Sequence, residues 1–365
     1  MAEGFQDVSR LLSRAIEEEC FPGAVLVVGY QGTVVYEQAV GAAALIPSPR
    51  RMTVDTVFDL ASLTKPIATV TALMLLVEAG LVRLDAPVDT YVNDCRQPDR
   101  DSPTLRQLLS HCSGLPAWRP YYQTIDPSWP ASARRRAVYA AVHGEPRIDR
   151  PGSSVQYSDL GFILLGELVE AVSGMPLDEF CRQKIFARLQ LEGLGFRDLE
   201  RPRPAGAPCA STEHCPWRQQ ILEGEVHDEN AWIMGGVAGH AGLFATARQV
   251  WQFAQSLMGG LRGQLWLVST STLRTFTTRQ GTPEGSTWAL GWDTPSPGQS
   301  SAGQYISSTA IGHLGFTGTA LWIDALQQVI VVLLTNRVHP SRQRQGIKTF
   351  RPRIHDAVMR ALGLA

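Results

Sequence analysis

Ser62 and Lys65 stand three residues apart in DLASLTKPIATV (59–70), at the mouth of a long apolar run. On a helix, residues i and i+3 share a face, so hydroxyl and amine come within reach of each other. A serine hydroxyl is a weak nucleophile and needs a base. A lysine serves as one only if burial or a neighbouring cation keeps it neutral part of the time. The helix start adds backbone N–H groups and the positive end of the dipole beside Ser62, and Pro66 suits a first turn. The same spacing also fits a helix cap followed by a surface lysine, so the pair does not decide the matter by itself. Two further stretches carry chemistry. Tyr157 opens Tyr157-Ser158-Asp159 directly before a helical pattern. It suits a packing tyrosine with a wet hydroxyl or, beside Lys65, a proton shuttle whose phenol the ammonium pulls below its usual pKa of about 10. GHLGFTG (312–318) places glycines within a predicted strand. Glycines there mark close approach of backbone or ligand, and an edge strand offers N–H groups to an oxyanion.

SLTK, YSD and HLG occur in the order, and at roughly the intervals, of the three motifs of the β-lactamase-related serine hydrolases, and the chain resembles that family. The family includes class C β-lactamases, penicillin-binding DD-peptidases and serine esterases. TLRQLLSHCSGLP (104–116) and AGHAGLFATARQVWQFAQ (238–255) extend the likeness along nearly the whole chain. GEVHDENAWIMGG (224–236) is similar to a subgroup that includes proteins linked to bacterial cell-wall metabolism. The resemblance implies that Ser62 is acylated and that Lys65 and Tyr157 share the base role. It also implies that the N–H groups of Ser62 and Phe316 form an oxyanion hole, and that no metal or organic cofactor is needed. The site would lie between an α/β domain and a helical domain.

Three departures bear on substrate. The second motif ends in Asp159 where the family usually has Asn, and a carboxylate accepts where an amide can donate. Asp159 near Lys65 would favour the ammonium and shift the base role towards Tyr157. In the third motif, His313-Leu314-Gly315 replaces Lys-Thr-Gly, which removes donors for a substrate carboxylate. A lost charge-assisted hydrogen bond is worth roughly 1.5–3 kcal/mol. His313 is partly charged near neutral pH. Arg337, just after the last predicted strand, is a candidate replacement cation or a surface arginine, and His240 is a candidate substrate contact. These departures favour a small ester or amide substrate, esterase first, with D-alanyl peptidase or weak β-lactamase as alternatives. An acyl transferase uses the same residues, and a penicillin-binding-type sensor without turnover is the reading from another class.

Other polar groups read as structural. His111 suits a buried structural histidine, and His227, Asp228 and Glu229 suit loop organisation, since adjacent residues rarely all face one ion. Cys209, His214 and Cys215 match no common zinc spacing.

The elements that must position these groups follow from pattern. The chain has 365 residues, 44% of them hydrophobic and 18% charged, with a formal net charge of -1. That length suggests about two domains, and the charge balance argues against a nucleic-acid partner. The N-terminus reads as an amphipathic helix, with no signal-peptide core and no stretch of membrane-spanning length. A cytoplasmic protein with six reduced cysteines is the expectation; nothing reads on oligomeric state. A hairpin is predicted at 24–30 and 33–40, and a buried helix at 63–79 closed by Gly80. Helices are predicted at 104–110, 132–143, 159–173, 177–189, 248–258 and 347–362. Strands are predicted at 304–308, 310–316, 319–324 and 328–335. A long loop at 201–223, with another around 118–129, would shape the pocket. The fold expected is α+β: an antiparallel sheet flanked by helices, from residues 1–84 and 240–365, with 85–239 inserted as a mainly helical domain.

Overall fold

The computed structural model describes residues 3–92, 101–201 and 208–365. The chain opens with α1 (Gln6–Glu17), which buries Val8, Leu12 and Ala15 along one stripe. A hairpin follows, β1 (Gly23–Tyr30) and β2 (Thr33–Ala44). Its turn residues Gln31 and Gly32 both have positive φ, 50° and 85°, the twist that suits a two-residue hairpin loop. Short strands β3 (Arg50–Arg51) and β4 (Phe58–Asp59) lead into a 3₁₀ turn, Ala61–Leu63. A π-helical stretch, Lys65–Val70, then runs into α2 (Thr71–Glu78). After it come α3 (Leu105–Leu109), α4 (Ala131–Gly144), α5 (Asp159–Ser173), α6 (Leu177–Cys181) and β5 (Gly195–Phe196). The chain continues through β6 (Ser211–Cys215), β7 (Gln220–Glu223), α7 (Glu229–Ile233), β8 (Leu243–Ala245), α8 (Ala247–Leu261) and α9 (Thr270–Thr277). It closes with β9 (Ile311–Leu314), β10 (Ala320–Asp324), β11 (Val329–Thr335) and α10 (Ile347–Ala361).

The main sheet is antiparallel, in the order β3-β2-β1-β11-β10-β9, so strands from both ends of the chain pair at its centre. Its period of two divides side chains between two cores. Val25 and Val27 of β1 join Ile330, Val332 and Leu334 of β11 in the larger core, with α2, α5 and α8. Ala24, Leu26 and Val28 join Val329, Val331 and Leu333 in a smaller core under α1 and α10. Covering both faces explains why β11 reads as an unbroken apolar run.

Three expectations change on the structure. Residues 304–308 form no strand, because Asp356 and Asp324 take the N–H groups of Gln304 and Ser307 that a strand partner would need. The long loop expected at 201–223 contains the β6–β7 hairpin. The helices predicted at 63–79 and 177–189 each include a π-helical stretch, Lys65–Val70 and Arg182–Phe186. The predicted cap of α8 holds: Thr246 and Gln249 form a reciprocal capping box.

Candidate active site

Ser62 lies in the 3₁₀ turn after β4, and two interactions set that turn. β4 pairs with β8, and the Leu60 N–H donates to Leu243 O at 2.9 Å. The buried Asp59 carboxylate accepts from the N–H of Ala61 at 2.8 Å and of His227 at 2.6 Å. Ala61, immediately before Ser62, is held at φ 48°. That left-handed conformation is costly for a residue with a Cβ and persists only where its surroundings impose it.

Lys65 is fully buried at the start of the π-helical stretch. Its Nζ donates to Ser62 Oγ at 3.0 Å, to Asp159 Oδ1 at 2.6 Å and to the His240 carbonyl at 3.2 Å. It also sits 4.8 Å from the centroid of the Tyr157 ring. The Tyr157 hydroxyl interacts with the side chains of both Lys65 and Ser62. Tyr157 and Asp159 come from the segment that starts α5, with Ser158 as its cap. Ser158 Oγ donates to Pro116 O, and the Asp159 N–H donates to Ala117 O. Pro116 and Ala117, at the end of the segment that begins at Thr104, thus set the height of Tyr157 and Asp159 beside Lys65.

Burial is the largest influence on Lys65 and disfavours its charge. Asp159 and Tyr157 outweigh it, and the pKa lies above the ordinary lysine value. On Tyr157 burial wins over the pull of Lys65, so the phenol is raised. This reverses the expectation that the ammonium would pull it down. At neutral pH the resting site therefore holds an ammonium and a neutral phenol.

Tyr157 stands in a box of rings. His111 lies 4.5 Å away between centroids, Trp288 5.7 Å and His313 6.0 Å. His111 is buried, as expected, and its Nδ1 accepts the Ser158 N–H at 3.1 Å. Burial, then Lys65 and His313, keep His111 well below the usual histidine pKa. His313, on β9, donates from Nδ1 to Leu314 O at 2.9 Å. Burial, followed by the charge of Lys65, pushes its pKa down to about 3. His313 is therefore neutral at physiological pH, not partly charged as the sequence led us to expect.

The remaining candidates fall in two groups. Gly315 and Phe316 begin the turn after β9, directly beside the Ser62 turn. Thr317 Oγ1 and Thr319 Oγ1 donate to the carbonyls of Asp59 and Leu60 at 2.9 Å each. Among the described residues, no backbone carbonyl takes the N–H of Phe316. Phe316 is about half exposed and Leu314 partly so. The other group is engaged with protein. His240 is buried, with Nε2 on Asp228 Oδ1 at 2.8 Å, and reaches Lys65 only through its carbonyl. Arg337 donates from Nε to Phe316 O at 2.8 Å and from Nη1 to the carbonyls of Arg342 and Arg344. His227, Asp228 and Glu229 diverge to Glu213, His240 and Arg342, in keeping with a loop-organising role.

Sequence reasoning missed Asp59 and Trp288 in these roles. Neither lies in a recurring spacing; each acts on a residue distant in the chain. The two loops expected to shape the pocket do meet. Tyr122 packs edge-on to Trp217 at 4.7 Å, with Trp118 at 6.3 Å from Tyr122.

Gly315 leaves no room for a side chain. A Cβ there would lie 1.9 Å from Thr319 Oγ1 and 2.7 Å from Leu60 O. Gly315→Ala is expected to cost about 1–3 kcal/mol by overpacking, read by urea denaturation. Because the clash pushes the Phe316 turn off the Ser62 turn, any turnover at Ser62 should fall as well. An alanine variant as stable and active as the parent would contradict this packing.

A family model described as Beta-lactamase matches residues 8–352. A protein of Escherichia coli (strain K12) named "Putative D-alanyl-D-alanine carboxypeptidase" is 32% identical over 376 residues, covering 92% of this chain and 83% of that one. A protein of the same name from Salmonella typhi is 30% identical over 353 residues, covering 87% and 79%. Among solved structures, the octameric penicillin-binding protein homologue from Pyrococcus abyssi superposes with a TM-score of 0.75 at 20% identity, over 98% of this chain and 77% of that one. EstCE1, a hydrolase with promiscuous acyltransferase activity, superposes with a TM-score of 0.75 at 22% identity, over 97% and 98%. These two likenesses bear on the fold, which is the expected α+β arrangement.

Proposed function

The chain belongs to the Beta-lactamase family and is a serine hydrolase of that family; we propose that it forms an acyl-enzyme on Ser62 and hydrolyses small esters or amides whose leaving group carries no carboxylate next to the scissile bond. The observation that carries this reading is the 3.0 Å contact of the fully buried Lys65 Nζ with Ser62 Oγ. In the reactive form the Lys65–Tyr157 pair has lost one proton. Ser62 Oγ attacks the carbonyl carbon and gives its proton to that pair. The carbonyl π electrons move to oxygen, and the N–H groups of Ser62 and Phe316 stabilise the oxyanion. Collapse of the adduct breaks the bond to the leaving group, which takes the proton back from the pair. Water then repeats the sequence on the acyl-enzyme.

The preference for an ester rests on the third motif. Neutral His313 and apolar Leu314 offer no cation to a substrate carboxylate. A second reading, D-alanyl carboxypeptidase, has one observation in its favour besides the names of its relatives. Arg337 lies 4.6 Å from the centroid of the half-exposed Phe316 ring and forms no ion pair among the described residues. Hydrolysis rates on p-nitrophenyl esters and on a D-alanyl-D-alanine peptide separate the two. The ester reading expects kcat/KM on the ester to exceed that on the peptide at least tenfold, about the share of binding that one charge-assisted hydrogen bond supplies. The reverse order would replace it with the peptidase.

The resting ammonium makes a signed prediction for pH. Loss of a proton from the Lys65–Tyr157 pair activates the site, so kcat/KM should rise with pH along an alkaline limb. Asp159→Asn removes the carboxylate that holds the Lys65 pKa up and leaves the opposing effect of burial. The limb should therefore move to lower pH, with activity at pH 7 maintained or raised. An unmoved limb, or one displaced to higher pH, would show that the pair is not the base.

A further inference from the structure

Arg351 is an expensive residue with no evident reason for its cost. It lies in α10, 7% exposed, and among the described residues no carboxylate pairs with it. Burying a guanidinium without a counter-charge is strongly unfavourable. Burial and the nearby Arg337 push its pKa down to about 9, which still leaves it charged at neutral pH. Its Nη2 donates at 2.9 Å to Gly315 O and at 2.8 Å to Thr319 O. Both carbonyls belong to the turn after β9, whose Thr319 hydroxyl holds the Leu60 carbonyl beside Ser62.

The consequence lies in the geometry of one peptide unit. The Gly315–Phe316 bond is trans, so its C=O and N–H point in opposite directions. A cation fixed on the oxygen holds the whole unit in place and aims its N–H away from α10. It also draws electron density towards the oxygen and strengthens the N–H as a donor, as along a polarised hydrogen-bond chain. That N–H belongs to Phe316, one of the two donors assigned to the oxyanion.

We propose that Arg351 is a positioning residue for catalysis: through the Gly315–Phe316 peptide it orients and polarises the Phe316 N–H of the oxyanion hole. The inference rests on the acyl-enzyme reading above. Arg351 touches no reacting atom, and its charge is felt only where negative charge develops on the substrate oxygen. Arg337 supports the next unit by donating to Phe316 O at 2.8 Å.

The test is the series Arg351→Lys, Arg351→Gln and Arg351→Met on a p-nitrophenyl ester, with a boronic acid that forms a tetrahedral adduct as a second ligand. Losing an oxyanion donor outright costs about 10²–10³ in kcat, so losing its support should cost Arg351→Met about tenfold to a hundredfold. KM should hold within about twofold, and boronate affinity should fall in step with kcat. Arg351→Lys, which keeps the charge, should recover most of the loss, whereas Arg351→Gln should behave like Arg351→Met. A Met variant with kcat within about threefold of the parent overturns the proposal. So does a loss of kcat with unchanged boronate affinity, which would mark a purely structural role. If Arg351→Met does not fold, equal kcat and boronate affinity for the Lys and Gln variants overturn it. None of these outcomes touches the hydrolase reading, which fails separately if Ser62→Ala retains turnover.

Discussion

Ser62→Ala should lower the turnover of p-nitrophenyl esters by roughly 10⁴–10⁶-fold, as loss of the nucleophile does in other serine hydrolases. The size follows from the mechanism: without Oγ there is no covalent intermediate, and the oxyanion donors and the Lys65–Tyr157 pair have nothing to act on. The fold should be almost indifferent. Ser62 is partly exposed, and its hydroxyl takes part in the Lys65 contact at 3.0 Å while that amine keeps its bonds to Asp159 and His240. Thermal melting should therefore shift little. A fluorophosphonate should label the parent on the peptide containing Ser62 and leave the variant unlabelled. Retained turnover in the variant, or label on another residue, would remove the nucleophile from the proposal.

Lys65→Met should be nearly as severe, with a loss of about 10²–10⁴ in kcat, the usual contribution of a positioned acid–base group. Met keeps most of the length and fills the buried space, so packing changes little. The electrostatic change is larger. Asp159 Oδ1 loses a partner at 2.6 Å while only a fifth of its side chain is exposed. Removing one member of such a pair leaves the other uncompensated, and a lower melting temperature is expected. The double variant Lys65→Met/Asp159→Asn removes that burden. It should regain stability without regaining activity, which separates the chemical role of Lys65 from its structural one. Recovery of activity with stability would mean that Lys65 only holds the fold together.

How much of this site could be read from the chain depends on the range of each interaction. Ser62 and Lys65 are three residues apart, and helical geometry alone puts amine beside hydroxyl. The cap of α8 and the hairpin of β1 and β2 are local in the same way. Tyr157, His313 and Phe316 were found by motif order, which says that they converge but not in what electrical state. The two mistaken expectations about charge share one cause. Both left out burial, the largest influence on His313 and on Tyr157.

The missed hairpin has a related explanation. Thr212 and Glu213 on β6 are buried polar residues, which break the apolar alternation that signals a strand. They are tolerated because Thr212 Oγ1 donates to Leu222 O, while Glu213 is paired with His227 and Arg342. Conversely, the β-rich stretch at 304–308 lost its strand to two aspartates distant in sequence. Partners of this kind leave no trace in a window of ten residues.

By itself the sequence determined the hydroxyl–amine pair, the α+β class and the family, because spacing, period and motif order are properties of the chain. The folded structure alone decided the rest of the charge pattern: His313 and Tyr157 neutral, and Arg351 charged with no carboxylate paired to it among the described residues. Protonation depends on how much water each group has lost and which charges surround it, and both are set by residues that the chain brings together only on folding.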